Sequence, residues 1–209
     1  RLYLILETSA LQMSLKNFLE EVIAGGVTAV QLRDKFSSYD EKLEKAYRIK
    51  EFLSGYGRHV LFIINDSAEI AVKSGADGVH LGEKDEPPSV IRARYPDLSI
   101  GFSCNNTEDC LTADSYADYA GIGPFAYTGT KKDLRRVIGF GGVKKYADYL
   151  SIPSVAIGGI DITSAREAID TGTSGLAVSS YLCSSKKPYE DAKRMRDIID
   201  ERIGVYKVP

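Results

Sequence analysis

Eight short apolar runs, each followed by an amphipathic stretch, constrain this chain of 209 residues more than any other feature. Short β-branched or apolar runs bounded by turn residues predict buried strands over 2–6, 29–32, 60–64, 78–80, 99–102, 119–122, 154–157 and 175–178. Helical stretches are predicted near 14–24, 40–55, 67–74, 88–95, 107–115, 142–150, 163–171 and 187–203. In the first of these, Leu15, Phe18, Leu19 and Val22 recur at i, i+3, i+4 and i+7, which is one face of a helix. Gly25, Gly75 and Gly172 stand where helices end and the chain turns back into a strand. Composition does not break along 1–209, so the alternation predicts one domain, an α/β single-domain (β/α)8 TIM barrel. An open flavodoxin-like sheet needs fewer strands and a shorter chain, and no GxGxxG turn follows the first strand to suggest a dinucleotide fold.

Composition narrows the function classes. A net charge of −2, with acids and bases mixed along the chain, offers no broad attraction to nucleic acid or to an anionic membrane surface. No run approaches the roughly 20 apolar residues that span a bilayer. The opening RLYLILE lacks a basic-then-apolar leader, so the expected localisation is cytoplasmic. Cys104, Cys110 and Cys183 form no C-x-x-C pair, and neither His59 nor His80 has zinc-like spacing to them, so reduced thiols are expected. The expected partners are small-molecule substrates; a homo-oligomer is left open.

Polar residues recur where the predicted strands end, and in a barrel those ends converge on one face. Asp66 and Asp85 each follow a strand; two carboxylates completed by substrate oxygens suit Mg2+. The competing role for Asp66 is a helix N-cap before SAEIAVK. Gln31, Arg33 and Lys35 leave the second strand at a period of two. A carboxamide suits the edge of an aminopyrimidine, and the two cations suit a pyrophosphate. The plainer reading is a solvated basic turn paired with Asp34 and Asp40.

Thr128, Gly129, Thr130 and Lys131 have the composition of a phosphate loop without the Walker frame, whereas Lys132 reads as surface. Gly158 and Gly159, with Ser179 and Ser180, follow the last two strands, the usual phosphate site of barrel enzymes. The connection over 124–142 exceeds an ordinary loop, which suggests a segment that closes over substrate. His80 ends a strand and reads as a hydrogen-bonded core histidine in preference to a general base; the tyrosines at 116, 119, 146, 149 and 181 read as packing with wet tips.

Together, LYLIL, GGVTAVQLRDK, INDSAEIAVKSGADGVHLGEKD, IGFS, DYAGIGPFAYTGTKKD, IPSVAIGGI and GLAVSS resemble the thiamine phosphate synthase and thiazole tautomerase superfamily, on its synthase branch. The resemblance runs nearly end to end. It implies condensation of hydroxymethylpyrimidine pyrophosphate with hydroxyethylthiazole phosphate, giving thiamine phosphate and pyrophosphate by a Mg2+-assisted dissociative displacement. By that resemblance Gln31, Arg33, Lys35, Asn65, Ser103 and Lys131 hold the pyrimidine pyrophosphate, with Lys131, Arg33 and Ser103 the catalytic set. Asp66 and Asp85 carry the metal, and Thr128, Gly129, Thr130, Gly159, Ser179 and Ser180 hold the thiazole phosphate.

The chain departs from the family pattern at Ser67, at GEKD, which puts Glu83 and Lys84 beside Asp85, and at Asn105, where relatives often carry histidine. In the tautomerase branch that histidine is the acid/base. A thiazole tautomerase and a non-catalytic phosphate-binding regulator are the competing readings; a lysine Schiff-base aldolase is more distant.

Overall fold

The computed structural model describes residues 1–127 and 136–204. The eight parallel strands close into a barrel in chain order. They are β1 (Leu2–Leu6), β2 (Val27–Leu32), β3 (Leu61–Asn65), β4 (Gly78–Leu81), β5 (Ser99–Cys104), β6 (Tyr119–Ile122), β7 (Ser154–Ile157) and β8 (Gly175–Val178). Around them lie α1 (Leu15–Ala24), α2 (Tyr39–Ser54), α3 (Ala68–Ser74), α4 (Pro88–Arg94), α5 (Thr107–Tyr116), α6 (Gly139–Tyr149), α7 (Ala165–Ile169), α8 (Ser180–Cys183) and α9 (Pro188–Ile203). The expected (β/α)8 TIM barrel is the fold.

Local chemistry starts and stops these helices. Ser14, Ser67 and Asn106 accept from backbone N–H groups in the first turns of α1, α3 and α5. Ser38 and Glu41 form a reciprocal capping box on α2. Gly75 ends α3 with φ 69°, a left-handed conformation that costs glycine little.

Alternation of side chains across the strands makes two cores. The outward set, including Leu2, Leu4, Val30, Phe62, Val79, Ile100 and Leu176, is sealed beneath the helices. The inward set is smaller: Tyr3, Ile5, Ile63 and Ala177, with Ala29, Tyr119, Val155 and Ile157 packed against them. Barrel interiors are ordinarily filled by bulky branched residues. Here Gln31, His80 and Ser103 share the interior with them, so this core is unusually polar.

Differences from the sequence-based boundaries are local. β5 runs on to Cys104, and α6 begins at Gly139, so the glycine-rich end of the 124–142 connection is already helical. The turn at Thr8–Ala10 and the single-turn α8 were not predicted, because elements this short carry no periodicity. Among the described residues no helix is long and apolar enough to cross a membrane.

Candidate active site

The strand ends bring Asp66 and Asp85 together. Asp66 lies between β3 and α3, but the side chain that caps α3 is that of Ser67, which leaves the Asp66 carboxylate available for other work. Its backbone N–H donates to the carbonyl of His80 at 2.9 Å, tying the end of β3 to β4. Among the described residues Asp66 alone combines a side chain with positive φ, 69°. Aspartate tolerates that region better than most residues, yet such conformations cluster at functional sites. Asp85 reaches back to accept from Gly82 N at 2.7 Å.

Burial raises the Asp85 pKa and the neighbouring Asp66 charge raises it further, against the lowering effects of Gly82 N–H and Lys35. Loss of water around Asp85 is thus the larger cause, and the second carboxylate adds to it. No group of three or more His, Cys, Asp or Glu side chains suited to a metal occurs among the described residues. Two carboxylates are what Mg2+ takes when substrate phosphates complete its shell, so the donor set fits that ion.

Beside this pair the QLRDK segment sorts its charges. Arg33 pairs with Glu7, and Lys35 pairs with Asp66. Asp34 faces Lys45 at 2.6 Å and accepts from the backbone N–H groups of Phe36 and Ser37 at 3.1 and 3.0 Å. The plainer reading, in which the basic residues pair with Asp34 and Asp40, does not hold: Asp34 folds the loop, and carboxylates from other strand ends hold the two cations. A cavity of about 200 Å³ opens here between Glu7, Ser9, Arg33, Lys35 and Lys45.

The barrel interior beneath is crossed by a hydrogen-bond chain. Gln31 Nε2 donates to Tyr3 Oη at 2.8 Å, and Tyr3 Oη lies 2.8 Å from Tyr119 Oη. Tyr119 Oη is 3.0 Å from His80 Nδ1, and His80 Nε2 is 3.0 Å from Ser103 Oγ. His80 is thus the hydrogen-bonded core histidine expected. Tyr119 differs from its expectation, because its hydroxyl turns into the barrel and not toward water. Asn65 ends β3 opposite His80 in register. His59 is exposed and takes no part.

On the other side of the mouth, Gly158 and Gly159 have φ of 99° and 66°. Phe125 N and Ala126 N donate to the carbonyls of Ile157 and Gly158, both at 2.9 Å, so the segment after β6 runs along the end of β7. A Cβ on Gly159 would sit 2.5 Å from Tyr127 O, so only glycine permits this approach. Ser179 Oγ is buried and has no hydrogen-bond partner among the described residues, while Ser180 is exposed at the start of α8. A buried hydroxyl without a partner is costly and calls for an acceptor or donor from elsewhere.

Thr128, Gly129, Thr130 and Lys131 lie outside the described residues, as does Lys132. Asn105 Nδ2 donates to Gly123 O at 2.8 Å and to Arg136 O at 3.3 Å. It binds backbone carbonyls and brings no titratable group to this position.

Tyr3, Glu7 and Tyr119 are the residues at this site that sequence reasoning missed. Tyr3 had a signal, since it stands two residues before Ile5 on the inward face of β1. Glu7 had none, because nothing local to it marks Arg33 as its partner.

The profile of a family described as Thiamine monophosphate synthase matches residues 2–182. A thiamine-phosphate synthase of Clostridium novyi is 37% identical over 201 residues, covering 95% of this chain and 98% of that protein. One from Clostridium botulinum is 43% identical over 184 residues, covering 87% of this chain and 89% of that protein. A solved structure of thiamine phosphate pyrophosphorylase from Pyrococcus furiosus superposes with a TM-score of 0.88 at 33% identity, covering 98% of this chain and 97% of that one.

Proposed function

The chain belongs to the thiamine monophosphate synthase family, and from that premise we propose that it is a thiamine phosphate synthase, a transferase of thiamine biosynthesis. In this reading it moves the pyrimidinylmethyl group of hydroxymethylpyrimidine pyrophosphate onto hydroxyethylthiazole phosphate and releases pyrophosphate. The observation that carries the reading is the meeting of Asp66 and Asp85 beside Lys35 at one end of the barrel.

The leaving group is the difficulty, because pyrophosphate departs only when its developing charge is neutralised. Mg2+ held by Asp66 and Asp85 would supply part of that neutralisation. Arg33 and Lys35 supply more by exchanging Glu7 and Asp66 for phosphate oxygens. Lys131 and the carboxamide of Asn65 complete the anion's shell. Gln31 and Ser103 hold the pyrimidine, whose amino group stabilises the cation left behind. Gly129 and Gly159 let backbone approach the thiazole phosphate, and Thr128, Thr130, Ser179 and Ser180 offer it hydroxyls; the unpartnered Ser179 Oγ supports this. Positioning then leads the thiazole nitrogen to the cation without a protein nucleophile. The cysteines fit such chemistry as bystanders: all are buried, and burial pushes the Cys183 thiol up to about 11. The tautomerase reading is weaker, because Asn105 is engaged by backbone carbonyls and offers no acid/base group.

Purified protein given Mg2+ and both phosphorylated substrates should release pyrophosphate in step with thiamine phosphate. Absence of both products, with a folded protein, overturns the assignment. Running the same assay with a carboxylated thiazole phosphate identifies the preferred acceptor.

A further inference from the structure

We propose that the chain Gln31, Tyr3, Tyr119, His80 and Ser103 is a polarised hydrogen-bond relay that presents one acceptor and one donor to the pyrimidine, with Tyr3, Tyr119 and His80 as positioning residues that set substrate specificity. The identity of the ligand rests on the function proposed above; the polarity of the relay does not.

Polarity begins at the carboxamide. Gln31 Nε2 donates to Tyr3 Oη. Tyr3 is only 5% exposed, so its own hydroxyl proton needs an acceptor, and Tyr119 Oη stands 2.8 Å away. Having accepted there, Tyr119 gives its proton to His80 Nδ1. A neutral imidazole whose Nδ1 accepts carries its proton on Nε2, which then donates to Ser103 Oγ. The Ser103 hydroxyl proton is therefore not consumed inside the barrel. Gln31 Oε1 takes no part in the link to Tyr3, which leaves it to accept from a ligand.

The two ends are thus a carbonyl oxygen that accepts and a hydroxyl that donates. An aminopyrimidine presents the complement, an amino N–H and a ring-nitrogen lone pair. Turning the Gln31 carboxamide over reverses every link: Oε1 faces Tyr3, the histidine proton moves to Nδ1, and the ends become an amide donor and a hydroxyl acceptor. Those ends match an oxopyrimidine. One ring's tautomer therefore reports the polarity of the whole relay.

Other features of the barrel support tyrosines that keep their protons at the centre of the relay. Burial pushes the hydroxyl pKa values of Tyr3 and Tyr119 above the ordinary tyrosine range, so both keep their protons. Gly101 makes room for the central contact. A Cβ there would lie 2.4 Å from both His80 Nδ1 and Tyr119 Oη.

The test is nitrogen NMR of the whole ¹⁵N-labelled protein without ligands. The chain has 2 histidines, and His59 is exposed, so the His80 ring is readily assigned. The expected spectrum has a proton on His80 Nε2 and a bare Nδ1; a proton on Nδ1 overturns the polarity. In Tyr119→Phe the Nδ1 signal should shift, and the KM for the pyrimidine pyrophosphate should rise about tenfold with the thiazole phosphate KM unchanged. An unmoved ring signal together with an unchanged pyrimidine KM removes Tyr119 from the positioning role. Should that variant not fold, calorimetry on the natural protein decides: the aminopyrimidine pyrophosphate should bind at least about tenfold more tightly than its oxo analogue. Equal affinities overturn the specificity role. A natural protein that makes no thiamine phosphate sinks the function reading, while the tautomer measurement still stands.

Discussion

At the scale of single residues, Asp66 lets the proposed function be tested apart from folding. Its side chain does not cap α3, and its left-handed backbone is one that asparagine also tolerates. Asp66→Asn should therefore unfold within about 2–4 °C of the natural protein in the absence of ligand. Its Mg2+-dependent pyrophosphate release should fall by more than about tenfold. Retention of full activity would dismiss Asp66 as a metal ligand. Gly101 gives the opposite case. The added methyl of Gly101→Ala would lie 2.2 Å from Tyr119 Cζ, in the packed barrel interior. Overpacking of this kind costs about 1–3 kcal/mol, measurable as a lower urea midpoint. An unchanged midpoint would mean that the Tyr119 ring moves aside freely. Neither property is visible in the local sequence, where Asp66 resembles an N-cap and Gly101 an ordinary strand glycine.

At the scale of elements, the connection from β2 to α2 is held by Asp34. Burial raises the Asp34 pKa, but Lys45 and the donors of Ser37 and Phe36 outweigh it, and the net shift is downward. A carboxyl depressed in the folded state stabilises above its unfolded pKa of roughly 3.9, and that contribution is lost as pH falls through the folded value. Asp34→Asn should then be less stable than the natural protein at neutral pH by about 1–2 kcal/mol. The difference should shrink in acid below pH of about 4, as denaturant melts across pH would record. A gap that stayed constant into acid would mean that the charge of Asp34 is not the stabilising feature. The sequence placed the helix that follows within a residue or so, over 40–55 against Tyr39–Ser54, because helical periodicity is local. It could not pair Asp34 with Lys45, which lies a helical turn and more beyond the loop and meets Asp34 only once the loop is folded.

At the scale of the whole molecule, the barrel divides its labour between two cores. The layer under the helices is predominantly apolar and supplies stability, while the inner layer gives up apolar filling to a chain of polar side chains. The residues proposed to hold ligands at the mouth come from several strands, so binding there should stabilise the whole fold. Mg2+ with pyrophosphate at about 100 times Kd adds about 2.7 kcal/mol, or a rise in Tm of roughly 5–10 °C for a domain of this size. Thermal melts should show the rise with both ligands together, and its loss with chelator or in Asp66→Asn. A Tm indifferent to the pair would place the binding site elsewhere.

The sequence by itself determined the eightfold alternation, the strand ends and hence the barrel. Periodicity and capping act between residues a few positions apart, and the family motifs follow those strand ends in order. Only the tertiary structure decided which polar groups pair: Glu7 with Arg33, Lys35 with Asp66, and Tyr119 with His80 across the interior. Those partners lie tens of residues apart in the chain. What brings them within hydrogen-bonding distance is closure of the sheet, a property of all eight strands that no local stretch encodes.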